Sequence, residues 1–219
     1  MLKKILRSPV TTAVLFLLAA GLLLTGTIGG VRAAPLVTTN SFLASMQLSD
    51  TVAVQLVENE AFVSDGGELL TALAEDDGFK VGKTYDEVLA VANAGGIAEY
   101  VRVTVYRYWT DENGKALDLD PSLIRLNFLT DGGWTIDQAA STPERTVLYY
   151  GAVLSPGEVT PAFADAITID SSVMRLISAE DSDFEYDGVE FHVEAVVDGV
   201  QEHNGQEAMT SVWGRTNAG

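Results

Sequence analysis

Beyond its first thirty-odd positions the chain alternates apolar and polar residues in short runs separated by turn residues, the pattern of half-buried antiparallel strands. The longest run is Tyr100-Val101-Arg102-Val103-Thr104-Val105-Tyr106-Arg107-Tyr108-Trp109. Successive strand side chains point to opposite faces, so Val101, Val103 and Val105 share one face and Arg102, Thr104 and Tyr106 the other. Asp111-Glu112-Asn113-Gly114 then reads as a turn. Residues 189–197 alternate equally well, with Val189, Phe191, Val193, Ala195 and Val197 inward and Glu190, His192 and Glu194 outward.

Shorter strands are predicted over 41–48, 51–57, 87–93, 123–128, 145–150 and 162–169. Tyr85, Val88, Leu89 and Ala92 also fit helical spacing, but Gly82 and Gly95-Gly96 bracket a run short enough to favour a strand. Helical patterns are short and peripheral: 68–74, 171–177 and 206–213. Asn204 is placed to cap the last of these, and Ala208 and Val212, four apart, to dock it. Pro156-Gly157-Glu158 reads as a turn. About eight strands suffice for two packed sheets, so the expected fold is an all-β antiparallel β-sandwich with a few short peripheral helices.

The start of the chain follows a different rule. Lys3, Lys4 and Arg7 precede an apolar core over 13–24, and Val31 and Ala33 put small side chains where a signal peptidase needs them. Residues 1–33 read as a signal peptide cleaved between Ala33 and Ala34, since cleavage after Ala34 would leave Pro35 directly beyond the scissile bond. The competing reading is an uncleaved anchor, because 10–31 carries no charge and is long enough to cross a bilayer. Thr11, Thr12, Thr25, Thr27 and the glycines make it a poor permanent span, and no stable membrane span is expected after cleavage. The mature protein divides into an N-terminal segment, 34–48, and a sandwich domain, 49–219, with no internal repeat.

Charge narrows the partners. Four of the 13 Lys and Arg residues lie in the signal segment, so the mature part sets nine basic against 31 acidic residues, a formal −22. Nucleic-acid binding is excluded on that balance. Such acidity suits solubility outside the cell, cation binding, or self-association released as salt screens the repulsion. There is no cysteine, so an exported chain must hold together through its core; its 47% apolar content provides for one.

Several motifs carry a resemblance. These are the signal end Gly26-Thr27-Ile28-Gly29-Gly30-Val31-Arg32-Ala33, the stretch Gly82-Lys83-Thr84-Tyr85-Asp86-Glu87-Val88-Leu89-Ala90-Val91-Ala92-Asn93, and the strand from Tyr100 to Asp111. Asp120-Pro121-Ser122-Leu123-Ile124, the run from Ser141 to Tyr150, Leu154-Ser155-Pro156-Gly157-Glu158 and the run from Val196 to Asn204 continue the series. In this order they resemble the TasA/camelysin-type proteins of Gram-positive bacteria, exported with a SipW-dependent signal peptide. The resemblance implies a jelly-roll sandwich secreted to the cell surface or extracellular matrix. It also implies assembly into fibres or biofilm matrix, one subunit's N-terminal segment adding a strand to its neighbour. Here Ala34-Pro35-Leu36 stands at the mature start, where such signals are often followed by a Tyr-Phe-Thr-Asp type sequence.

The expected partners are therefore signal peptidase during export and, afterwards, further copies or related matrix subunits. In an extended N-terminal segment Leu36, Phe42, Ala44, Met46 and Leu48 are the candidate strand-donation contacts, and Pro35 blocks pairing at the first residues. Pairing of the same segment within its own subunit is the alternative. Some relatives have been described as peptidases, but a zincin helix needs two histidines four apart around a glutamate. His192 and His203 are eleven apart, no Gly-x-Ser-x-Gly elbow exists, and no catalytic, cofactor-binding or metal-ligating residue is assigned. The row Glu190, His192, Glu194 reads first as the solvated face of a strand.

Calcium is the one cation the carboxylates invite, at Asp181, Asp183, Glu185 and Asp187, or at Asp111, Asp118 and Asp120; neither set matches an EF-hand loop. Tyr100, Tyr106, Tyr108 and Trp109 suggest either core and cross-strand packing or a carbohydrate-stacking platform. The expected protein is a non-enzymatic, secreted structural subunit, with an adhesin or accessory binding module as the alternative and a metallopeptidase after that.

Overall fold

The run that alternates most regularly becomes the central strand, β5 (Glu99–Asp111), and the second longest becomes its antiparallel partner, β11 (Glu190–Gln201). They pair without a break from Thr110 opposite Glu190 to Glu99 opposite Gln201. The computed structural model describes residues 37–38, 51–64, 67–70, 73, 79–177, 186 and 188–217, all within one compact unit spanning 34–219.

Around this pair the first sheet adds β9 (Arg145–Tyr150) and β8 (Trp134–Ile136) on one side of β5, with β6 (Gly114–Lys115) closing a hairpin on its end. The two-residue β1 (Val37–Thr38) lies on the far side of β11. The second sheet runs in the order β3 (Ala61–Phe62), β2 (Val54–Glu58), β4 (Thr84–Asn93), β10 (Ala164–Ile169) and β7 (Ile124–Phe128). The chain passes from sheet to sheet between β1 and β2, β4 and β5, β6 and β7, β7 and β8, β9 and β10, and β10 and β11, a jelly-roll-like crossing of antiparallel strands.

Between the sheets lies one dry layer. Leu89, Val91, Ile124 and Ile167 from the second sheet meet Val101, Val103, Leu148, Trp134 and Val197 from the first, and none is more than 2% exposed. The even-numbered positions of β5 face outward as the alternation requires, and Trp109 is inside. Arg107 shares the inner parity. Its guanidinium escapes the apolar layer by donating to the carbonyl oxygens of Pro143 (2.7 Å) and Ile124 (3.2 Å).

Residues 84–93 form a strand because both of their edges find partners, β2 and β10; Val88, inward on the helical alternative, is 38% exposed. The strand expected over 41–48 lies outside the described residues. Of the helix expected over 68–74, Glu68 to Leu70 are irregular and Leu73 is helical, while 71, 72 and 74 lie outside the described residues. The helix α1 (Ser172–Ile177) forms as expected. Among the described residues no helix is long and apolar enough to cross a membrane.

The C-terminal helix, α2 (Gly205–Trp213), lies on the outer face of the first sheet, with Ala208, Met209 and Trp213 packed on Val147, Tyr149 and Val200 and Val212 at the margin. Asn204 precedes it, but its side chain makes no capping bond. At φ 58° it is left-handed rather than extended, so the side chain is turned from the amides it would serve; its carbonyl accepts from Ala208 N instead. Gly205 brings the helix start against the Tyr100 ring, where a Cβ would meet Cε2 at 2.4 Å.

Gly199, near the end of β11, is needed for a different close approach. A Cβ there would stand 2.7 Å from Glu99 Oε2, 2.9 Å from Val54 Cγ1 and 3.0 Å from Val52 Cγ1. Overpacking at such a site costs about 1–3 kcal/mol. Gly199→Ala is expected to lower unfolding stability by that amount in urea titration.

Candidate functional site

β11 offers two surfaces to the outside: its free edge and the outer face it shares with β5. The edge comes first because the segment predicted to donate a strand reaches it. Val37 pairs opposite Gly199 and Thr38 opposite Asp198. Along Glu190–Val196 no described strand continues that pairing, which leaves an ordered backbone edge able to accept one. The cleavage residues Ala33 and Ala34 and the contacts Leu36, Phe42, Ala44, Met46 and Leu48 lie outside the described residues.

Directly beneath the pairing point sits Glu99. It is wholly buried, and neither carboxylate oxygen has a hydrogen-bond partner. The missing Cβ of Gly199 makes the notch that accommodates Oε2. Burial raises its carboxyl from 4.5 to about 7, while the Ala53 backbone amide, outside hydrogen-bonding geometry, pulls weakly the other way.

On the outer face the cross-strand neighbour pair Arg102 and Asp198 forms an ion pair, Nε and Nη2 both donating to Oδ2 at 2.8 and 2.5 Å. Asp198 is 2% exposed; Trp213 of α2 covers the pair, its ring 5.5 Å from the guanidinium carbon. Beyond the reach of α2 the face opens into a groove of about 830 Å³, floored by Thr104, Tyr106, Tyr108 and Val196 and bounded by Lys115 and Glu144, which pair with each other.

The four aromatic candidates separate here. Trp109 is in the core with Tyr186 and Phe191 on its edges, and Tyr100 faces α2. Tyr108 is flanked by the stacked His192 imidazole (5.1 Å) and by the Lys115 ammonium (5.0 Å). Its hydroxyl donates to Glu194 Oε1 at 2.5 Å, which raises the phenol to about 12. Tyr106 lines the groove with no ring or cation partner among the described residues, so the platform reduces to one free ring.

Glu190, His192 and Glu194 do line one face of β11, as expected. The row is engaged internally: His192 Nε2 lies 2.8 Å from Thr110 Oγ1 and 3.9 Å from Glu190, while Glu194 holds Tyr108. His203 sits past the far end of the same strand, roughly 30 Å away at the rise of an extended chain, so the two histidines cannot share an ion. Among the described residues no three His, Asp or Glu side chains are grouped to hold a metal. Asp111 and Asp120 instead accept from the backbone amides of Asn113 and Ser122. The acidic set Asp181, Asp183, Glu185 and Asp187 lies outside the described residues.

No family model, curated protein or solved structure matches the chain.

Glu99 gives the site a pH signature. Its folded-state pKa lies above the unfolded value, so the native protein holds the proton that the unfolded chain releases between pH 4.5 and about 7. Stability contributed by the neutral acid is complete below that window and declines as pH rises through it, by at most about 1.4 kcal/mol per pH unit. Glu99→Gln, which is neutral throughout, is expected to flatten this decline when urea stability is measured from pH 4.5 to 8; an unchanged slope would remove Glu99 from the account.

Proposed function

We propose that the chain is an exported, non-enzymatic structural subunit of a Gram-positive cell surface or extracellular matrix, which self-associates through its N-terminal segment. The observation that carries this reading is the seat of Val37 and Thr38 on the free edge of β11, a few residues beyond the proposed Ala33–Ala34 cleavage point. A segment that pairs with its own β11 edge is chemically equivalent to one that pairs with the same edge of another copy. The family resemblance in the signal and strand motifs supports the same assignment.

Energetics set the condition for exchange. Ordering eight residues costs on the order of 8–16 kcal/mol, and six hydrogen bonds return about 3–9. Leu36 and Phe42 would add about 1.5–3 kcal/mol each on burial. Side-chain burial in the acceptor, rather than the ladder alone, must therefore drive assembly, and the repulsion of a −22 mature chain opposes it until salt screens the charge.

The groove around Tyr106 favours a second reading, an adhesin or accessory binding module. Its charged lining is already paired within the subunit, so it would take a neutral ligand such as a glycan through one stacking ring. Sedimentation and negative-stain microscopy of purified protein beginning at Ala34 separate the two. Elongated assemblies growing with salt, and lost on deletion of 34–42, are expected; a monomer at high concentration and high salt would transfer the assignment to the binding module. N-terminal sequencing of exported material should begin at Ala34, and a retained Met1 would overturn the exported, processed form.

A further inference from the structure

The second sheet holds an acid pair, one member buried and one half-buried, that the assembly reading does not use. Glu87 of β4 lies on the inward parity with Tyr85 and Leu89, and it is 3% exposed although Asp86 and Val88 on either side are open to solvent. Glu58, at the end of β2, pairs opposite Leu89 and so faces the same interior. The two side chains are diagonal neighbours on one face of the β2–β4 pair, near enough for the Glu58 carboxyl to act on Glu87, and no Lys, Arg or His contributes to the neutralisation of Glu87. Glu87 Oε2 receives a long bond from Asn59 Nδ2 (3.4 Å), and Oε1 is buried without a partner.

Glu58 has a second task. Its Oε1 accepts the backbone amide of Leu70 at 2.6 Å, tying the 67–70 loop to the end of β2. Leu70 is buried in the core yet has φ 63°, a left-handed conformation that a leucine keeps only where surrounding contacts impose it. Asn59, itself left-handed at φ 48°, braces the other side: its Oδ1 accepts from Val88 N and its own amide donates to the Val88 carbonyl. The pair is thus the anchor of a strained loop beside the end of β2.

We propose that Glu58 and Glu87 form a proton-dependent latch: a proton on Glu87 lets the two carboxyl groups coexist and keeps Leu70 seated, and its loss frees the 67–70 loop while the sandwich stays folded. With the proton present, one carboxyl is neutral and can face the other. Without it, Glu87 is a charge buried beside a second carboxyl with only the Asn59 amide to offset it, and the cheapest relief is for half-buried Glu58 to swing to solvent and release Leu70. Burial first, and Glu58 second, raise Glu87 from 4.5 to about 8, so the proton is retained at neutral pH. The linkage sign follows. An opened loop exposes Glu87 and releases the proton, so opening becomes easier as pH rises from about 5 towards 8 and levels off above it. This device is independent of whether the N-terminal segment exchanges between copies.

Native-state hydrogen exchange of the folded 34–219 protein tests it, read at the Leu70 amide and corrected for intrinsic exchange. Protection is expected to fall by up to tenfold per pH unit between about pH 5 and 8, then level, while amides of β5 and β11 do not follow the same profile. Glu87→Gln should hold Leu70 protection constant across the range, and Glu58→Gln, which keeps an oxygen for the Leu70 amide but leaves Glu87 buried, should make the decline shallower without abolishing it, which serves if the first variant fails to fold. Wild-type Leu70 protection that does not change with pH, or a profile unchanged in either folded variant, would overturn the latch. A saturable rise in protection on adding Ca²⁺, lost in Glu87→Gln, would overturn it in favour of a cation between the carboxylates.

Discussion

Everything distinctive about this molecule hangs on the uninterrupted antiparallel ladder between β5 and β11. Twelve cross-strand pairs fix a parity that cannot slip by one residue without turning Val101, Val103 and Val197 to solvent and Arg102 and Asp198 into the core. The same register assigns three surfaces together. The inner face becomes half of the dry layer, the outer face receives α2 and leaves the groove beyond it, and the far edge of β11 becomes the seat of β1.

Three buried acids in this strongly acidic chain show how differently a carboxyl group can be accommodated. Asp198 remains a charge because Arg102, its register partner, reaches it with two donors under the Trp213 ring. Glu87 meets another carboxyl and keeps a proton. Glu99 meets nothing polar in bonding range and stays near neutrality because Gly199 leaves it room rather than a partner. Burying an unpaired charge costs more than burying a neutral acid, so the two glutamates fit best where pH is at or below neutrality. Both lie near weakly built parts of the fold: Glu99 under the two-residue β1, Glu87 beneath the strained loop at Leu70.

Much of this was legible in the residues. Alternation located β5, β7, β9, β10 and β11 and the strand character of 84–93, and it placed Glu190, His192 and Glu194 on the outer face. The same parity carried one step further would have found the buried acids: Glu99 stands two residues before Val101, and Glu87 two before Leu89. What parity could not show was whether an outward position is covered. Asp198 is outward by register and buried only because α2 folds over it, an event set by Tyr100, Gly205 and Trp213 far apart in sequence. β8 escaped notice for another reason. Three residues are too few for a period, although Trp134 within it is among the most deeply buried side chains.

The edge of β11 poses the remaining structural problem, and its solution constrains how the protein can associate. A long strand with unpaired amides is a template for any extended chain, and proteins usually blunt such edges with charge or cover them. Here Glu190 and Glu194 put negative charge along the exposed stretch, while Val37 and Thr38 cover Gly199 and Asp198 at its other end. The covered end is also the smoother one: Gly199 has no side chain, and Asp198 is tied down on the outer face by Arg102. An incoming strand therefore meets repulsion at one end and a pre-levelled seat at the other. On the proposed self-association, that polarity would favour a strand entering in the register of Val37 and Thr38 over indiscriminate edge-to-edge pairing, because there the backbone pairs without meeting the Glu190 and Glu194 charges.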